Sequence, residues 1–168
     1  MFGKLGKLSK ARPVSANTSI LLAPLAGSVI ALSDVKNPTF AKGLLGQGAA
    51  IIPSGGRVVA PSDSRVEAIF PTGYAVALHT KEGLDLLIHV GLDTIKLEGR
   101  HFKVHASEGD EVSQGQVLIE FDREAIAAEG FDVTVPILLC NSVEFSSIKW
   151  RIGARVDELD RLCVARKR

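Results

Sequence analysis

Short apolar runs punctuated by glycine, proline, aspartate and asparagine recur from Ile20 to about Val164, and this cadence constrains the fold more than any other feature. The runs fall at 19–23, 27–32, 49–53, 66–70, 74–80, 84–90, 116–121 and 133–139. Their length and spacing indicate strands separated by tight turns. Helical signals are few: a turn or two at 37–44, another at 124–129 and a third at 143–145. The expected fold is therefore all-β, a compact antiparallel β-sandwich or barrel with a few short helical turns. An internal echo points to two halves. Ala23-Pro24 is followed by Val29 and Leu32 at the same offsets at which Ala60-Pro61 is followed by Val66 and Ile69. Strand-turn-strand units also repeat such patterns by chance.

Charge and cysteine content narrow the function classes. Lys+Arg 20 against Asp+Glu 19 gives a net charge of +1, which argues against a nucleic-acid surface. No apolar run approaches a membrane span and no signal peptide is visible. Cys140 and Cys163 lie among apolar residues, as buried thiols in a reducing cytoplasm do. Residues 1–18 read as a flexible basic segment preceding one domain at 19–168. Within it Phe2, Leu5 and Leu8 alternate with Lys4, Lys7, Lys10 and Arg12, so residues 1–12 also fit weak contact with a membrane surface. Gly3 and Gly6 weaken that helix, and the solvated tail is the expectation.

The run from Gly83 to Thr94 places an imidazole, His89, at the end of an apolar strand. Alternation puts Leu84, Leu86, Ile88 and Val90 on one face and Asp85, Leu87, His89 and Gly91 on the other. A histidine there is either a hydrogen-bonded core residue or a reachable nucleophile or base. The 109–118 run, with glycines at both turns, is also found in biotin- and lipoate-carrying modules. Those present a lysine at a hairpin tip, and no lysine occupies such a tip here.

Taken in order, several motifs resemble the glucose-type enzyme IIA domain of the phosphoenolpyruvate:sugar phosphotransferase system. Gly83, Leu86-Leu87-Ile88-His89, Gly91 and Thr94 form the most specific of them. Val59-Ala60-Pro61 and Phe70-x-Thr72 precede it. Leu97-x-Gly99-x-x-Phe102-x-x-His105, Gly109-Asp110 and Phe121-Asp122 follow. The resemblance implies a phosphocarrier that accepts a phosphoryl group on His89 from phosphorylated HPr and passes it to the IIB domain of a sugar transporter. It implies no cofactor and no metal. A carbonyl near Gly91 is expected to fix the tautomer of His89. Val90 and Leu92 are expected to form an apolar docking rim, with Asp93 at that rim in a contact or turn-forming role.

The sequence departs from the family pattern at one chemically important place. Tyr74 stands two residues after Thr72, where the resemblance implies a second histidine. An imidazole can be neutral or cationic, whereas a phenol is a neutral donor near neutral pH. Tyr74 and Thr72 could still hold phosphate, but onward transfer becomes less secure. A second reading is therefore a regulatory protein of the same fold, with target proteins of its own. His79, five residues beyond Tyr74, falls on the opposite strand face and is not expected to replace it. His101 is expected to be exposed and His105 structural. Ser64 stands where glycine is commoner, so that turn must suit serine. A zinc peptidase would need a close histidine pair that the chain lacks.

Overall fold

The computed structural model describes residues 17–168. Its strands are β1 (Thr18–Leu22), β2 (Gly27–Ala31), β3 (Gln47–Pro53), β4 (Arg57–Val59), β5 (Ser64–Ile69), β6 (Ala75–Thr80) and β7 (Asp85–His89). They continue with β8 (Phe102–Val104), β9 (Glu111–Val112), β10 (Val117–Phe121), β11 (Val135–Leu139), β12 (Phe145–Trp150), β13 (Arg155–Val156) and β14 (Arg161–Lys167). Two short helices, α1 (Pro38–Ala41) and α2 (Arg123–Ala128), interrupt them. The third helical signal is a single 3-10 turn, Ser142–Glu144.

The strands form an antiparallel β-sandwich. One sheet runs β13-β2-β3-β11-β7-β6-β5-β9, and two smaller ones run β1-β14-β12 and β4-β10-β8. The large sheet is centred on β11, whose residues are all buried. A strand covered on both faces reads as a continuous apolar run, and Val135–Leu139 does so. The paired echo falls at equivalent places: β2 and β5 each lie second from an edge of this sheet, and each follows one Ala-Pro pair.

Alternation along β7 behaves as its sequence dictates. Leu84, Leu86, Ile88 and Val90 enter the main core, together with residues from Leu21 to Ala165. On the opposite face Leu87 packs on a smaller cluster of Leu32, Val35, Phe40, Ala50, Leu92 and Leu138. The 32–41 segment thus covers the face that carries His89.

The first and last of the described strands pair with each other. β14 lies between β1 and β12, with Thr18 opposite Arg166 and Trp150 opposite Cys163. Thr18 is therefore already in a strand, one residue earlier than the expected boundary. The rest of the basic amino-terminal segment, residues 1–16, lies outside the described residues. Trp150 packs partly buried against the core, and its Nε1 is sealed from solvent without a partner. Cys163 is buried as expected, and that burial pushes its thiol up to about 12. Cys140 is not: it lies in the turn just after β11 and is exposed. Ser64 needs no glycine-like backbone, and its hydroxyl donates to Ser62 O at 2.7 Å.

Candidate active site

The β6–β7 hairpin sets the position of His89. Gly83, at φ +88, supplies the left-handed turn residue, and its N–H donates to Thr80 O at 2.9 Å. Thr80 Oγ1 accepts from Leu84 N at 3.0 Å. This fixes the register in which Ala75 lies opposite His89. On the other side, pairing of β7 with β11 stops at Ile137–Ile88, where Pro136 has no N–H to offer the next rung.

Four rings pack in a row here. His89 meets Phe40 edge-on at a centroid distance of 5.1 Å and Tyr74 edge-on at 5.3 Å. Tyr74 in turn stacks on Phe70 at 4.9 Å with planes 12° apart. Tyr74 lies in the bend before β6, which frees its ring from the strict alternation of the strand. Phe40 arrives from α1, whose start is fixed by Asn37 accepting from Thr39 N at 2.9 Å and by Pro38 in the first turn. The sequence reading did not include Phe40. The signal available was the Asn37-Pro38 helix start, which sets the first turn that carries Phe40 inward.

His89 Nδ1 lies 2.7 Å from Gly91 O. A carbonyl can only accept, so Nδ1 carries the proton and Nε2 keeps its lone pair. Among the described residues no group bonds Nε2, and the only sealed, unpartnered side-chain nitrogen or oxygen is Trp150 Nε1. Nε2 therefore opens to solvent from a half-buried ring. Burial lowers the His89 pKa from 6.5; the Gly91 hydrogen bond and the Asp93 charge oppose this less strongly. The ring is thus kept neutral, as a nucleophile must be.

Gly91 also shapes the backbone beyond the strand. It is buried in the turn beyond β7 at φ +82, and a Cβ there would come within 2.5 Å of Thr94 Cγ2. The same turn overturns the expected docking rim. Val90 is 1% exposed and belongs to the main core, while Leu92 is 6% exposed and packs with Phe40. The chain folds inward after His89, which leaves neither of them surface to present. Asp93 is exposed, at φ 60, and its carbonyl accepts from Lys96 N at 3.1 Å, a turn-forming position. Thr72 sits half-buried in the turn before Tyr74, 3.8 Å from a Cβ built on Gly99.

The remaining histidines stand apart from this group. His79 lies opposite Asp85, and its Nδ1 is 2.6 Å from Asp85 Oδ1. That is four residues along β7 from His89, roughly 13 Å at strand rise. His101 is half-buried rather than exposed, with Nε2 bonded to Glu129 Oε2. Its φ of +75 is a conformation glycine adopts freely. Arg100, foremost, and His101 hold the Glu129 carboxyl down to about 2. His105 is exposed and pairs with Glu120 at 3.2 Å. Among the described residues no cluster of three or more His, Cys, Asp or Glu could hold a metal ion. No helix among them is long and apolar enough to cross a membrane.

Residues 19–145 match the family model for the phosphoenolpyruvate-dependent sugar phosphotransferase system, EIIA 1. A glucose-specific EIIA component from Staphylococcus epidermidis is 40% identical over 148 residues, covering 88% of this chain and 87% of that protein. A β-glucoside-specific EIIBCA component from Dickeya chrysanthemi is 44% identical over 137 residues. The chain covers only 22% of that longer protein. The solved glucose permease IIA of Mycoplasma capricolum superposes with a TM-score of 0.79 at 29% identity, covering 88% of this chain and 95% of that one. By sequence and by fold, the chain belongs to the EIIA 1 family of the sugar phosphotransferase system.

Proposed function

We propose that this chain carries a phosphoryl group on Nε2 of His89, accepted from phosphorylated HPr and passed to the IIB domain of a sugar permease. The observation that supports this best is the Nδ1–H donation to Gly91 O at 2.7 Å, which leaves Nε2 as a lone pair facing outward. In the accepting step that lone pair attacks phosphorus. A P–N bond forms on His89 as the P–N bond of the donor histidine breaks, and the donor imidazole departs. Onward transfer reverses these roles with the IIB nucleophile. Such transfers need alignment and charge stabilisation more than covalent chemistry. The Phe40 and Tyr74 rings restrict the direction of approach and keep water from the flanks of the imidazole.

In this reading the Tyr74 phenol and the Thr72 hydroxyl donate to phosphoryl oxygens, and no cofactor takes part. The partner surface is built from exposed apolar side chains on the same segments: Phe70 beside Tyr74, Leu44 and Leu45 just after α1, and Ile95 after Asp93. Residues 19–168 act as one EIIA domain in the cytoplasm, where its protein donors are found. A solely regulatory role is not favoured, since the relatives are named as components of sugar transport. They carry both glucose and β-glucoside names, so the sugar is left to the membrane partner.

The test is a relay in solution with labelled phosphoenolpyruvate, enzyme I, HPr and a IIB domain. Acid-labile label should appear on the wild-type chain, be absent from His89→Ala, and reach IIB. Equal labelling of wild type and His89→Ala would refute the assignment. Label that reaches His89 and never leaves it would restore the regulatory alternative.

A further inference from the structure

The two peptide units flanking Gly91 decide where the imidazole keeps its proton. Gly91 N donates to Thr134 O at 3.1 Å and Leu92 N to Asp132 O at 2.9 Å, which anchors the amide end of each unit. At the carbonyl ends, Gly91 O accepts from His89 Nδ1 at 2.7 Å, and Val90 O accepts from Thr94 Oγ1 at 2.6 Å. Thr94 is only 1% exposed, so water cannot readily stand in for its hydroxyl. Its Cγ2 methyl lies where a Gly91 Cβ would be, 2.5 Å from that built position. Glycine at φ +82 is also the residue about which a peptide unit turns most freely. Without the hydroxyl, Val90 O would be left buried and unpaired, and rotation at Gly91 would be the nearest relief.

We infer that Thr94 is a positioning residue: acting through Val90 and Gly91, its hydroxyl keeps the Gly91 carbonyl on Nδ1 and so keeps the Nε2 lone pair of His89 facing outward. The inference rests on the phosphocarrier reading of His89 for its purpose, but its primary readout needs no phosphoryl donor. Thr94 touches neither the imidazole nor the transferred group in this account. Its contribution is to hold one carbonyl.

The experiment compares wild type, Thr94→Val and Thr94→Ser as full chains labelled with 15N-histidine. Imidazole nitrogen shifts near neutral pH report the His89 tautomer, and initial rates of phosphorylation by phospho-HPr are recorded alongside. Wild type and Thr94→Ser should keep the proton on Nδ1, with rates within about twofold of each other. Thr94→Val, nearly the same shape, should show mixed tautomers and a rate lower by about tenfold, the scale of one lost hydrogen bond. Should the valine variant not fold, Thr94→Ala takes its place under the same criterion. A hydroxyl-free variant that keeps the wild-type tautomer overturns the inference, whatever its rate, because the defect would then be structural. Thr94→Ser behaving like Thr94→Val overturns it as well, as does a wild-type ring protonated on Nε2. If wild type takes up no phosphoryl group, the proposed function fails while the tautomer result still decides the role of Thr94.

Discussion

At the residue scale, the chemistry depends on keeping one imidazole neutral and oriented. Burial lowers the His89 pKa from its ordinary 6.5, so below that pH the unfolded chain binds more protons at this position than the folded one. Stability contributed by this group is therefore unaffected above about pH 6.5 and falls as the pH drops below it. A His89→Gln variant should lose less thermal stability between about pH 7 and about pH 5 than wild type, as differential scanning calorimetry will register. Tyr74 is the other informative residue. Its ring meets His89 edge-on at 5.3 Å, so an imidazole substituted there would also lie beside the transferred group. Tyr74→His should raise the rate of onward transfer to IIB by about a hundredfold, at the low end of what a positioned acid–base group contributes. A stopped-flow or quench-flow relay measures it directly.

At the element scale, strands with plain alternation were the most legible. The 84–90 run became β7 with its inward and outward faces as read, and 133–139 contained the buried β11. The carbonyl expected near Gly91 was legible too, because a strand-end histidine with a glycine close behind leaves few other acceptors within reach. What could not be read was whatever a turn or a distant segment supplies. Alternation already put Val90 on the core face with Leu84, Leu86 and Ile88, against its place in a rim, whereas it says nothing of the inward fold from Gly91 that buries Leu92. Phe40 reaches His89 from nearly fifty positions upstream, and periodicity within β7 contains no trace of it. β14 was missed because Arg161, Arg166 and Lys167 dilute its apolar pattern. Yet Leu162, Cys163 and Ala165 are all buried, and β14 pairs with both β1 and β12. Deleting residues 161–168 should abolish the cooperative melt seen by circular dichroism. The leucine alone is worth roughly 1.5–3 kcal/mol of burial, against a typical total of about 5–15 kcal/mol.

At the scale of the whole molecule, His89 and the first and last described strands belong to different sheets that share one core. The sole tryptophan of the chain, Trp150, lies in the terminal sheet directly across from the thiol of Cys163. The indole packs partly buried against the core, so its emission should shift to the red on denaturation. That gives a built-in optical gauge of the terminal sheet, while the NMR resonances of His89 gauge the large one. Because both sheets lean on the same interior, urea titrations followed by the two signals should trace a single midpoint. Separate midpoints would mean that the β1-β14-β12 sheet can loosen while the face that holds His89 stays assembled.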